Sequence, residues 1–168
     1  MPFLIRRDGS WLYRGSAIKR KELVCLFASV LTRDEAGDYL LETPVESGRI
    51  SVEDAPFVAV ELDWKMCCGG RQHLSFRLNT DQVVCAGGHH PIRVAQGPRE
   101  DERIPYLHVR DGLGAWPIEA RICRAVYYEL AALAVRGTVD GQDTLGVWSG
   151  DCFFPLGTWA GDEWLEQA

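Results

Sequence analysis

Arg7-Asp8-Gly9 and, 103 residues further on, Arg110-Asp111-Gly112 open two stretches of like pattern. The first continues through Ile18, Arg20, Leu26, Val30 and Leu31; the second through Ile122, Arg124, Leu130, Ala134 and Val135. In each, a turn precedes an apolar segment of helical period. In each, a short strand-like run comes next, Tyr39-Leu40-Leu41 in one and Leu145-Gly146-Val147-Trp148 in the other. A pattern used twice predicts a duplicated hairpin–helix–strand unit.

Working outward, Phe3-Leu4-Ile5 and Trp11-Leu12-Tyr13 flank Asp8-Gly9 as the arms of a hairpin, since glycine accepts the positive φ of such turns. From Lys19 to Thr32, Leu23, Leu26, Phe27, Val30 and Leu31 recur at helix spacing and predict a stripe packed on that hairpin. Arg49–Val52 and Val58–Trp64 read as strands. From His73 to Asn79 the chain alternates strictly, with Leu74, Phe76 and Leu78 facing one way and His73, Ser75, Arg77 and Asn79 the other. That is a strand with one buried and one open face. Val83–Cys85, Ile92–Val94 and Ile104–Arg110 add strands, and parity gives Tyr106, His108 and Arg110 one face. A second helix is expected from about Arg121, and a last hairpin spans Leu145–Trp148 and Cys152–Phe154. Short turns between strands imply largely antiparallel sheets. The class is α+β, two packed domains: an N-terminal α+β domain at 1–70 and a strand-rich domain at 71–168 ending in an acidic, Trp-containing tail.

The chain has 168 residues, 46% of them hydrophobic, 25% charged, with six Trp. This is ample for a core and argues against wholesale disorder. No apolar run reaches the ~18 residues of a membrane span, and Arg6-Arg7-Asp8 interrupts any signal-peptide core. A cytoplasmic location and no membrane partner are expected. The net charge is −6; residues 1–95 carry 12 basic and 12 acidic side chains, and residues 96–168 carry 6 and 12. The excess acidity opposes binding of a nucleic-acid polymer, while leaving room for a small anion in a local basic pocket.

The ordered set Ile5–Trp11, Arg49–Val60, Leu74–Asn79, His90–Val94, Tyr106–Arg110 and Gly146–Ser149 resembles the domain of unknown function 1285 family, with Val52-Glu53-Asp54-Ala55-Pro56-Phe57 as its most specific run. The resemblance spans residues 4 to 157. It implies two packed domains with repeated motifs, the second loosely similar to a pleckstrin-homology domain. It also implies a bacterial signalling role, with a nucleotide-like ligand at the domain interface.

Each candidate site is limited by what its chemistry needs. Cys67, Cys68, His73, Cys85, His89 and His90 supply metal-ligand types, but no Cys-x-x-Cys pair exists and adjacent thiolates rarely reach one ion. No metal and no cofactor are expected. There is no nucleophile elbow, no phosphate-binding Gly-rich loop and no paired-His helix. Asp54, just before Pro56, is expected to fix a local turn through backbone bonds. Arg77 offers a fork for an oxyanion and Asn79 a donor and acceptor for a base or ribose. Arg93, His108 and Arg110 lie on other strands of the same expected sheet, and Trp148 offers a ring for stacking. The bland alternative for each is a solvated polar face with internal ion pairs, such as Arg110 with Glu53 or Asp54. As a group, Arg77, Asn79, Arg93, His108, Arg110 and Trp148 are the candidate ligand site, with Arg77 and Arg110 expected in one concavity between the two units.

The expected function is therefore a non-catalytic ligand-binding or signalling protein for a small anionic, nucleotide-like ligand. A protein–protein adaptor acting through the C-terminal domain is the alternative, and an enzyme with a dispersed site the second.

Overall fold

A computed structural model describes residues 1–67 and 69–158. The expected Trp-containing acidic tail, from Trp159 on, and Cys68 lie outside the described residues.

The first sheet comprises β1 (Phe3–Ile5), β2 (Trp11–Tyr13), β3 (Ser16–Ala17), β4 (Leu31–Arg33), β5 (Tyr39–Glu42) and β6 (Ser47–Val52), in the order β3-β2-β1-β6-β5-β4. The second comprises β7 (Phe57–Cys67), β8 (Arg71–Leu78), β9 (Val83–Cys85), β10 (Ile92–Gln96), β11 (Arg103–Asp111) and β12 (Pro117–Ile122), in the order β10-β11-β12-β7-β8-β9. Numbered within themselves, the two sheets have the same strand order. Each is two antiparallel triplets joined at a central parallel seam, β1 with β6 and β12 with β7. A third sheet holds β13 (Val135–Val139), β14 (Gln142–Ser149) and β15 (Cys152–Thr158).

Two nine-residue helices complete the described chain: α1 (Lys21–Ser29) between β3 and β4, and α2 (Arg124–Ala132) between β12 and β13. The protein is mostly sheet, so the expected α+β balance overstates the helices. α1 is also shorter than the Lys19–Thr32 periodicity predicts. It stops at Ser29, Leu31 enters β4, and Leu26 is 58% exposed.

The duplication is present in a different form from the one expected. Hairpin, helix, strand do recur in that order: β1–β2–α1–β4 and β11–β12–α2–β13. In the first copy the strands after the helix rejoin the hairpin's sheet; in the second they form the separate third sheet. What repeats in three dimensions is the six-strand order. The second sheet begins at Phe57, so the division at residue 70 read from the sequence falls inside the β7–β8 hairpin.

One contiguous cluster of buried apolar side chains runs through both halves, from Ile5, Trp11 and Leu41 through Phe57, Phe76 and Leu107 to Leu130 of α2 and Val147 of β14. Leu74, Phe76 and Leu78 are all fully buried, as the alternation of β8 predicts. The halves are joined by the Val52–Pro56 run. Its two carboxylates point apart: Glu53 accepts the Arg7 backbone N–H at 2.8 Å, and Asp54 turns to the second sheet.

Candidate functional site

Position on β11 is decided by a β-bulge. His108 pairs with Glu119 and Arg110 with Ile118, leaving Val109 unpaired. Successive strand residues point to opposite faces, and the extra residue reverses the facing of the residues after it. Arg110 therefore leaves the face of Tyr106 and His108, contrary to the parity expected from the sequence, and reaches α1.

There its Nη2 donates to the carbonyls of Ala28 and Leu31, both at 2.7 Å. These carbonyls lie at and just beyond the end of α1, where orphan acceptors collect. The guanidinium carbon lies 5.6 Å from the Phe57 ring centroid. Among the described residues no carboxylate pairs with Arg110. Burial alone lowers its pKa below the usual arginine value, the signature of a charge without a counter-ion.

Arg110 lines a cavity of about 280 Å³ at this junction, together with Cys25, Ala28 and Ser29 of α1, Phe57, Thr80 and Gln82. The Thr80 hydroxyl is sealed from solvent and has no hydrogen-bond partner among the described residues. The cavity thus offers a cation without an anion, while the Thr80 hydroxyl is closed off inside its wall.

The other expected site residues lie elsewhere. Arg77 pairs with Glu61 at 2.9 Å and Asp81 at 3.1 Å, and Asp81 also holds Lys21 at 2.8 Å. Arg77 does not line the junction cavity. The Asn79 amide accepts from the Val58 N–H at 3.0 Å and donates to the Gly9 carbonyl at 3.2 Å, tying β7 to the first Arg-Asp-Gly turn. Arg93 makes a two-pronged contact with Glu119, both bonds 2.7 Å, and lies over the Tyr106 ring. The Tyr106 hydroxyl donates to Asp54 at 2.6 Å and Arg121 reaches its other oxygen at 3.0 Å. Asp54 thus bonds side chains across the junction and not, as expected, its own turn. Burial and this carboxylate push the Tyr106 pKa well above the tyrosine range. The His108 Nε2 meets Asp111 at 2.7 Å, and its ring lies 5.7 Å from that of His90.

Trp148 belongs to a second concavity, a groove of about 460 Å³ between the β7–β8 hairpin tip and the third sheet. Met66, Leu133 and Val135 line it with Trp148, and Arg71 and Asp151 contribute charges. The six expected residues therefore do not converge: Arg110 sits in the junction cavity, Trp148 in the groove, and four in ion-pair or structural contacts. Sequence reasoning missed Thr80, Gln82 and Ser29, whose small polar types occur in any turn or helix end. Among the described residues no three His, Cys, Asp or Glu side chains converge as a metal would require. No helix there is long and apolar enough to cross a membrane.

Two sheets of identical strand order, sharing one core and enclosing a cavity lined by a cation, define a duplicated, sheet-rich two-part protein. The chain belongs to the DUF1285 family. Its N-terminal domain of unknown function matches residues 1–55, and the C-terminal domain of the same family, a protein of unknown function, matches residues 56–156. A crystal structure of a DUF1285 family protein from Silicibacter pomeroyi DSS-3 is 42% identical with a TM-score of 0.80, covering 99% of this chain and 83% of that one. Another, from Shewanella baltica OS155, is 27% identical with a TM-score of 0.54, covering 76% of this chain and 88% of that one. A search of curated proteins finds no match.

Proposed function

We propose that this protein is a non-catalytic binding module that takes a small anionic, nucleotide-like ligand at the junction of its two halves and serves in signalling. The observation that carries the reading is Arg110, a half-buried guanidinium lining the junction cavity without a carboxylate partner among the described residues. A cation held by two backbone carbonyls is already oriented, and a charge-assisted contact to it is stronger than a neutral one. The chain's acidity favours a compact anion over a polymer. The pleckstrin-homology likeness of the second half, implied by the family resemblance, is part of this reading. The test is a melting-shift screen of nucleotides, cyclic mononucleotides and cyclic dinucleotides against native protein and Arg110→Gln. A ligand that binds only the folded state raises the melting temperature, and the shift should shrink in the variant. No binder at millimolar concentration, or equal shifts in both proteins, rejects the proposal.

A second reading, an adaptor acting through the C-terminal half, is favoured by the groove at Trp148. Trp148 is 44% and Met66 60% exposed, the kind of aromatic and Met surface that interfaces favour. Co-purification of a defined partner, abolished in Trp148→Ala, would support it.

A further inference from the structure

We propose that the junction cavity selects a ligand bearing a single negative charge, as a carboxylate or a phosphodiester, and rejects phosphomonoester dianions and polyphosphates. This rests on reading the cavity as a ligand site. The chemistry begins with the protons Arg110 has left. A guanidinium chelates an oxyanion along one of two edges, Nε with Nη2 or Nη1 with Nη2. Both edges need an Nη2 proton. In this protein Nη2 spends its two protons on the Ala28 and Leu31 carbonyls. Neither fork is intact, so Arg110 offers divergent single donors, Nε and Nη1. Neither has an acceptor among the described residues, and neither is sealed from solvent. One oxygen can be met at each donor; a phosphate cannot be clasped.

Charge leads to the same class. Arg110 is the one cation among the lining residues, and no acid lines the cavity with it. Two other cations of this region, Lys21 on α1 and Arg77 on β8, are taken up by Asp81 and Glu61. A ligand of one negative charge is neutralised by Arg110; each further charge goes uncompensated in a half-buried site. The remaining lining suits the neutral part of such a ligand. Phe57 and Ala28 give apolar surface, and Gln82 and Ser29 give polar groups.

The test uses probes small enough that body shape does not decide the outcome: acetate, dimethyl phosphate, methyl phosphate and pyrophosphate, at matched ionic strength. Each is titrated into the full chain while the backbone amide resonances of Thr80, Gln82 and Arg110 are followed by NMR. Acetate and dimethyl phosphate should shift these resonances saturably, and the tighter of the two identifies the charged group. Pyrophosphate and methyl phosphate should bind roughly 10-fold more weakly, the equivalent of about one charge-assisted hydrogen bond. Pyrophosphate binding as tightly as dimethyl phosphate overturns this inference and leaves the ligand site standing. No saturable shift by any probe removes both.

Discussion

Arg33 and Arg110 reach across the junction in opposite directions. Arg33, in the first half, donates from Nη1 to the Pro117 carbonyl at 2.6 Å in the second; Arg110, in the second, donates to the carbonyls of Ala28 and Leu31 in the first. Each binds backbone, so each contact depends on the fold of the opposite half and not on one side chain there. Arg33 is further held between the rings of Tyr39 and Trp116, at 4.5 and 5.2 Å.

Removing either arginine should therefore loosen the junction. Arg33→Ala and Arg110→Ala are each expected to lower stability by roughly 1–3 kcal/mol, the range for leaving part-buried acceptors without a donor. Urea unfolding of the full chain measures this. Unchanged midpoints in both variants would show that the crossing contacts carry no stability.

The glycines of the two Arg-Asp-Gly turns are reciprocal in the same way. A Cβ at Gly9, whose φ is +91°, would lie 2.8 Å from the Asn79 amide nitrogen and 2.9 Å from the Val58 side chain. One at Gly112 would lie 2.6 Å from the Trp116 carbonyl and 2.9 Å from that of Arg33. Gly9→Ala and Gly112→Ala should each cost at least about 1 kcal/mol, Gly9 through backbone strain as well as contact. Thermal unfolding decides, and a tolerated alanine at both positions contradicts the close approach.

Asn79 and Arg77, neighbours on one strand face by sequence, should behave differently. Asn79→Ala removes the partner of the Val58 N–H and should lower stability by roughly 1–3 kcal/mol. Arg77→Ala opens a solvated ion pair and should leave the unfolding midpoint nearly in place. Neither should abolish ligand binding if the cavity at Arg110 is the site. Selective loss of binding in Arg77→Ala would return the site to the face predicted from sequence.

Alkaline pH should weaken the fold. Burial raises the pKa of Tyr39, Tyr106 and Tyr127, and Asp54 adds to the rise at Tyr106. The folded values lie above the unfolded one, so below about pH 10 both states keep the protons. Above it the unfolded chain releases protons that the folded chain retains, and stability falls as pH rises. Tyr106→Phe should flatten part of that fall in urea unfolding between about pH 8 and 11. An identical slope in the variant would mean Tyr106 does not contribute to it.

The chain's own pattern determined several elements outright. β8 is legible because alternation reports a sheet with one dry face, and Leu74, Phe76 and Leu78 occupy it. The hairpin at Asp8-Gly9 is legible because few residues accept its geometry, and Gly9 does so with a positive φ. β12 is not: Ile118, Glu119, Ala120 and Ile122 are all buried, so a strand covered on both faces shows no period of two, and Pro117–Ile122 reads only as the approach to a helix. The parallel seams are equally hidden, since they pair strands far apart in the chain that only packing brings together. The site divides in the same way. Sequence parity places Arg110 beside His108; the bulge at Val109, which no side-chain pattern announces, turns it to the other face and onto the end of α1. Residue types are local properties, but whether an arginine meets a carboxylate, a carbonyl or an open cavity depends on which backbone arrives opposite it, and only the tertiary structure supplies that.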